Sequence, residues 1–66
     1  MTLEFPRKFY SAEAVAAARD AYAECARFSV KEEAGNLIVV IDQVAAGLDP
    51  ETLRDEFGNR VLSEMA

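Results

Sequence analysis

The sequence predicts a single small α+β domain with its elements in the order β-α-β-β-α. Three observations carry this. The chain opens on a period-2 alternation at Leu3, an alanine-rich stretch of helical spacing follows from Ala12, and two apolar strand-like runs lead through Asp49-Pro50 into a second amphipathic stretch. A chain of 66 residues makes one domain and not two.

The first strand is read from Leu3 to Phe9, with Leu3, Phe5 and Phe9 on one face and Glu4 and Lys8 on the other. Pro6 lies inside this run and has no N–H to donate, so the strand belongs at an edge or carries a bulge. Ser11 is placed to cap the first helix, its hydroxyl accepting an orphan backbone N–H. Glu13 in the first turn suits the positive end of the helix dipole. From Ala12 to about Ala26 there are eight alanines, the best helix formers. Val15, Ala18, Tyr22 and Cys25 fall on one side, and Glu13, Ala17, Asp20, Glu24 and Arg27 on the other. The apolar side is mostly small, so this helix can lie close to a sheet.

Phe28 to about Glu32 alternates again, with Phe28 and Val30 inward and Ser29 and Lys31 outward. Glu33-Ala34-Gly35-Asn36 reads as a turn in which Gly35 or Asn36 takes positive φ. Leu37-Ile38-Val39-Val40-Ile41 is a continuous aliphatic run, which belongs in the centre of a sheet. Asp42 to Leu48 is a loop with Val44, Ala45 and Ala46 packed at its base. Asp49 as N-cap, Pro50 at the first helical position and Glu51 after it start the second helix. Leu53, Phe57, Val61 and Met65 recur every four residues, and Leu62 widens that stripe. Gly58 costs about 1 kcal/mol against alanine in a helix, so a close approach to another element is expected there.

These elements assemble in one simple way. A right-handed crossover makes the first two strands parallel. The hairpin makes the third antiparallel to the second, and its hydrophobicity places it centrally. The result is a three-stranded sheet of order 1-3-2 with both helices on one face, a ferredoxin-like plan truncated by its last strand. The edge of the first strand is then open where a fourth would lie, blunted at Pro6. Ile38 and Val40 point away from the helices, with Glu4, Lys8, Ser29 and Lys31 around them. An apolar centre with a charged rim fits a partner surface. Scattered exposed aliphatics are also ordinary on any protein.

Composition excludes several function classes. The net charge of −5 disfavours nucleic acid and anionic membranes, both of which need clustered Lys and Arg. Arg7-Lys8 is the only basic pair, and no base-stacking aromatics stand at the outward positions of the third strand. No apolar run approaches the roughly 20 residues of a membrane span. The opening Met1-Thr2-Leu3-Glu4-Phe5 lacks the pattern of a signal peptide, and a single cysteine fits a reducing cytosol.

Chemistry is equally sparse. There is no histidine, and Cys25 has no base to activate it, so a buried inert thiol is expected. Asp49, Glu51, Asp55 and Glu56 cluster at one helix start, but their spacing matches no Ca²⁺ loop, and the dipole already accounts for acidic residues there. No catalytic residue, metal or cofactor is expected. A domain this short buries only about 60% of its unfolded surface and usually needs disulfides, metals or oligomerisation. With one cysteine and no histidine, oligomerisation is the help that remains.

Phe9-Tyr10-Ser11 before the alanine-rich helix, the hydrophobic hairpin, and Glu56-Phe57-Gly58-Asn59-Arg60-Val61-Leu62 together form a pattern. It resembles the small HxsD-type protein of His-Xaa-Ser peptide-maturation systems, in which radical-SAM proteins act with a short peptide rich in His-Xaa-Ser repeats. The resemblance implies an accessory role beside a peptide-modifying enzyme. It also implies a partner-docking face on the second helix that includes Phe57, Asn59 and Leu62. Two functions follow as expectations. One is a non-catalytic accessory or binding module that meets a protein or peptide partner through Ile38, Val40, Phe57 and Asn59. The alternative is a self-associating structural domain, a homodimer using the same patch or a strand edge.

Overall fold

The computed structural model describes residues 1–66 as β1 (Thr2–Pro6), α1 (Ala12–Ala21), β2 (Arg27–Glu33), β3 (Asn36–Asp42) and α2 (Pro50–Met65). The sheet order is β1-β3-β2, and both outer strands run antiparallel to β3. The α+β plan with a central third strand is therefore as the residue pattern predicts.

Alternation decides which face is the core. Leu37, Val39 and Ile41 of β3 are buried together with Phe5 of β1, Ala14, Val15 and Ala18 of α1, and Leu53, Phe57 and Val61 of α2. Odd-numbered β3 residues thus meet both helices on one face, and even-numbered ones face the other way. Phe57 is the hub of this core. Its ring stacks on Phe28 at 5.0 Å and tilts against Phe5 at 6.2 Å and Tyr22 at 6.4 Å. Only ten residues are buried, so the core is small even for this length.

Several boundaries differ from the sequence expectation. β1 ends at Pro6, not Phe9, because the Pro6 carbonyl accepts N–H bonds from Phe9 and Tyr10 and turns the chain into α1. Phe9 is accordingly 67% exposed instead of lying on the inner face. Tyr10 packs edge-on to Phe5. Ser11 caps α1 as expected, accepting from the Ala14 N–H. The helix stops at Ala21, well before Ala26, because the chain must reverse into β2. Tyr22 and Cys25 make this turn, and the Cys25 carbonyl accepts from Ala45 N–H at 2.8 Å instead of a helical partner. Cys25 is half-buried against the core.

The hairpin closes through Ala34 and Gly35 with φ of 53° and 80°. Both central residues of a type I′ turn need positive φ, and the left-handed region is unfavourable for alanine. Ala34→Asn restores the preferred Asn-Gly pair and is expected to raise unfolding stability by about 1 kcal/mol. A urea titration reads this as a higher midpoint at unchanged slope.

α2 starts where the sequence predicts. The Asp49 carboxylate accepts from Glu51 N–H at 3.3 Å and from the Thr52 hydroxyl at 2.9 Å. Leu53, Phe57 and Val61 are buried, whereas Leu62 (55%) and Met65 (43%) stand exposed outside the stripe. The Met65 sulfur still lies 3.5 Å from the Ser11 backbone nitrogen, joining the end of α2 to the start of α1. Gly58 corrects the expectation of a close approach, since a Cβ there would meet nothing within 4 Å. Gly58→Ala should therefore stabilise the domain by about 1 kcal/mol through helix propensity alone. An unchanged thermal midpoint would contradict that.

Candidate interaction surfaces

The helix-free face of the sheet is built from three rows. Register places Val40 between Thr2 and Ser29, Ile38 between Glu4 and Lys31, and Asn36 between Pro6 and Glu33. Ile38 and Val40 are half-buried by these neighbours, with charges of opposite sign on either side of Ile38. Lys8, expected on this rim, instead lies in the turn after β1 with its ammonium 6.0 Å from the Phe9 ring centroid.

Hydrogen-bond parity defines the two free edges. The Met1 ammonium donates to the Ile41 carbonyl, Ile41 N–H donates to the Met1 carbonyl, and Arg7 N–H donates to the Gly35 carbonyl. In an antiparallel ladder, alternate residues direct both main-chain groups to one neighbour. Odd residues of β1 therefore bond β3, and Thr2, Glu4 and Pro6 direct theirs outward. Pro6 lacks an N–H, and its carbonyl is taken by the following turn. What stays free on β1 is the N–H and carbonyl of Thr2 and of Glu4.

By the same parity, even residues of β3 bond Arg27, Ser29, Lys31 and Glu33 of β2. Phe28, Val30 and Glu32 then direct their main-chain groups to solvent. No turn, cap or loop bond uses them.

A groove of about 510 Å³ runs beside the β1 edge, between Leu3, Phe5 and Tyr10 on one wall and Arg54, Asn59 and Leu62 on the other. It lies on the helix side, where inner side chains of a fourth strand would pack. Asn59 and the exposed Leu62 face it. Phe57 does not: it is 0% exposed at the centre of the core, so its expected role as a partner contact is corrected to a packing role. Of the four anticipated contact residues, Ile38 and Val40 share the outer sheet face, and Asn59 stands apart on the helix side. The groove was not legible from spacing, because it depends on which strand lies beside α2.

A smaller crevice of about 160 Å³ lies between Tyr22, Cys25, Leu48, Thr52, Leu53 and Glu56. The thiol on its wall has no histidine anywhere in the chain to act on it. The acidic residues at the start of α2 form no group of three or more positioned around one ion. Asp49 is already engaged in capping. No helix is long and apolar enough to cross a membrane. The ion pair Arg7–Glu32 at 2.8 Å ties the turn after β1 to β2, but both partners are about half exposed, so it contributes at most about 1 kcal/mol.

No protein-family model, curated protein or solved structure matches this chain.

Proposed function

We propose that this chain is a non-catalytic binding module that takes an extended segment of a partner protein as a fourth strand along β1. The observation that supports this is the pairing of four free main-chain groups, on Thr2 and Glu4, with the groove between β1 and α2. Main-chain bonds to an exposed sheet edge supply affinity, and side chains alternating into a groove supply selectivity. Leu62 and Asn59 line the groove, and Ile38 and Val40 extend the contact onto the outer face. The resemblance to the HxsD-type accessory proteins gives the partner a class. It is a radical-SAM peptide-modifying protein or its His-Xaa-Ser-rich peptide, with the module acting in the cytoplasm.

The test is an affinity pull-down from the native host, read by mass spectrometry, with wild type, Val40→Lys and Glu4→Pro as baits. Both substitutions leave the β1–β3 ladder intact, because the Glu4 N–H points outward and Val40 lies on the helix-free face. Wild type is expected to recover a radical-SAM protein or a His-Xaa-Ser peptide, and both variants to lose it. Equal recovery by Val40→Lys removes the outer face from the contact, and equal recovery by Glu4→Pro rules out strand addition at β1.

A further inference from the structure

We infer that β2 is the pairing edge of a homodimer, in which a second copy of the chain lies antiparallel with Val30 opposite Val30 on the two-fold axis. This uses the edge opposite to the one proposed for the partner, and it does not depend on that proposal.

The argument begins with the free main-chain groups. Phe28, Val30 and Glu32 present three N–H groups and three carbonyls in one line. A two-fold through Val30 sets Val30 against its copy and Phe28 against the copy's Glu32, so all of these groups find partners across the axis. The intervening residues lie on the outer face. There Ser29 meets the copy's Lys31, and Arg27 meets the copy's Glu33, giving two symmetry-related pairs of opposite charge.

Neighbouring registers fail on the same residues. Moving the axis to Ser29 sets Arg27 against Lys31 of the other chain. Moving it to Lys31 sets the two Lys31 side chains against each other. Both shifts also leave main-chain groups unpaired, and like charges directly opposite are destabilising. A slip by a single residue sets the outward main-chain groups of Phe28 and Val30 against residues whose own groups already bond β3. Of these registers, only the one centred on Val30 sets opposite charges together and pairs every outward main-chain group of Phe28, Val30 and Glu32.

β1 is the poorer edge for self-pairing. It offers only the groups of Thr2 and Glu4, it carries Pro6, and it brings no opposite charges together. β2 has no proline and no covering strand on its outer side. Arg27 makes no ion pair within its own chain, and Glu33 reaches only the exposed Lys31 at 3.2 Å. Dimerisation also joins two three-stranded sheets into one of six strands, which supports a core of only ten residues.

Charge exchange between chains tests this. In its own homodimer, Arg27→Glu places a carboxylate opposite the copy's Glu33. Glu33→Arg likewise places a second guanidinium opposite the copy's Arg27. Mixing the two variants removes both like-charge contacts: in the mixed dimer each of the two pairs sets one carboxylate of the first chain against one guanidinium of the second. By sedimentation equilibrium at low salt, wild type is expected at twice its 7.3 kDa chain mass. Each single variant is expected to dissociate about tenfold more readily, and the equimolar mixture to recover wild-type association. Arg27 and Glu33 are both exposed, and circular dichroism checks that each variant is folded. Glu32→Pro removes one outward N–H without touching the β2–β3 ladder and should also give a monomer. A monomeric wild type at high micromolar concentration overturns the proposal. So does a dimer indifferent to Glu32→Pro, or a mixture no tighter than its components.

Discussion

Phe57→Ala should abolish cooperative unfolding at physiological temperature. The ring is wholly buried and touches aromatic side chains from β1, β2 and the turn after α1. It is the one side chain in the core that joins α2 to both outer strands through ring contacts. Truncating a buried phenylalanine costs about 3–5 kcal/mol, through lost transfer energy and the cavity left behind. A domain of this length holds roughly 3–10 kcal/mol in all, at roughly 0.05–0.15 kcal/mol per residue. Much or all of the stability therefore goes with one ring. A far-UV circular dichroism melt reads it directly. A sigmoidal transition within a few degrees of wild type would show that the core does not centre on Phe57.

Adjacent positions on β3 give the second large effect. Val39→Lys is expected to unfold the domain, whereas Val40→Lys is expected to leave it folded. Val39 is 0% exposed between Leu3 and Val30, beneath both helices. An unpaired ammonium there costs several kcal/mol, because no buried carboxylate stands nearby to accept it. Val40 is half-buried on the opposite face, between Thr2 and Ser29, where a lysine reaches water. Chemical denaturation of the two variants side by side separates the faces. Equal loss in both would mean that the outer face is covered and that Val40 cannot serve as a clean control for partner binding.

The same alternation explains how much is legible in the sequence. Leu37, Val39 and Ile41 are assignable to the core, and Ile38 and Val40 to the opposite face, because a strand allows only two directions. Asp49-Pro50 locates the start of α2 because capping and the fixed φ of proline are local effects. The end of α1 is not legible. Alanine-rich sequence favours continuing the helix through Ala26, but the chain reverses into β2 with Tyr22 and Cys25 packed against the core, and the helix ends at Ala21. Phe9 and Leu62 depart from their expected places for a related reason. An apolar residue at the right spacing is not buried unless another element arrives to cover it, and none covers these two.

By itself, the sequence determined the order of the elements, their faces and the central place of β3. These rest on periodicity, proline and glycine chemistry, and strand hydrophobicity, all of which act over a few residues. The tertiary structure alone decided which main-chain groups remain free on each edge, that a groove lies between β1 and α2, and that Phe57 belongs to the core and not to a docking face. Those properties depend on the register between strands and on where helices cross them, which residues far apart in the chain set together.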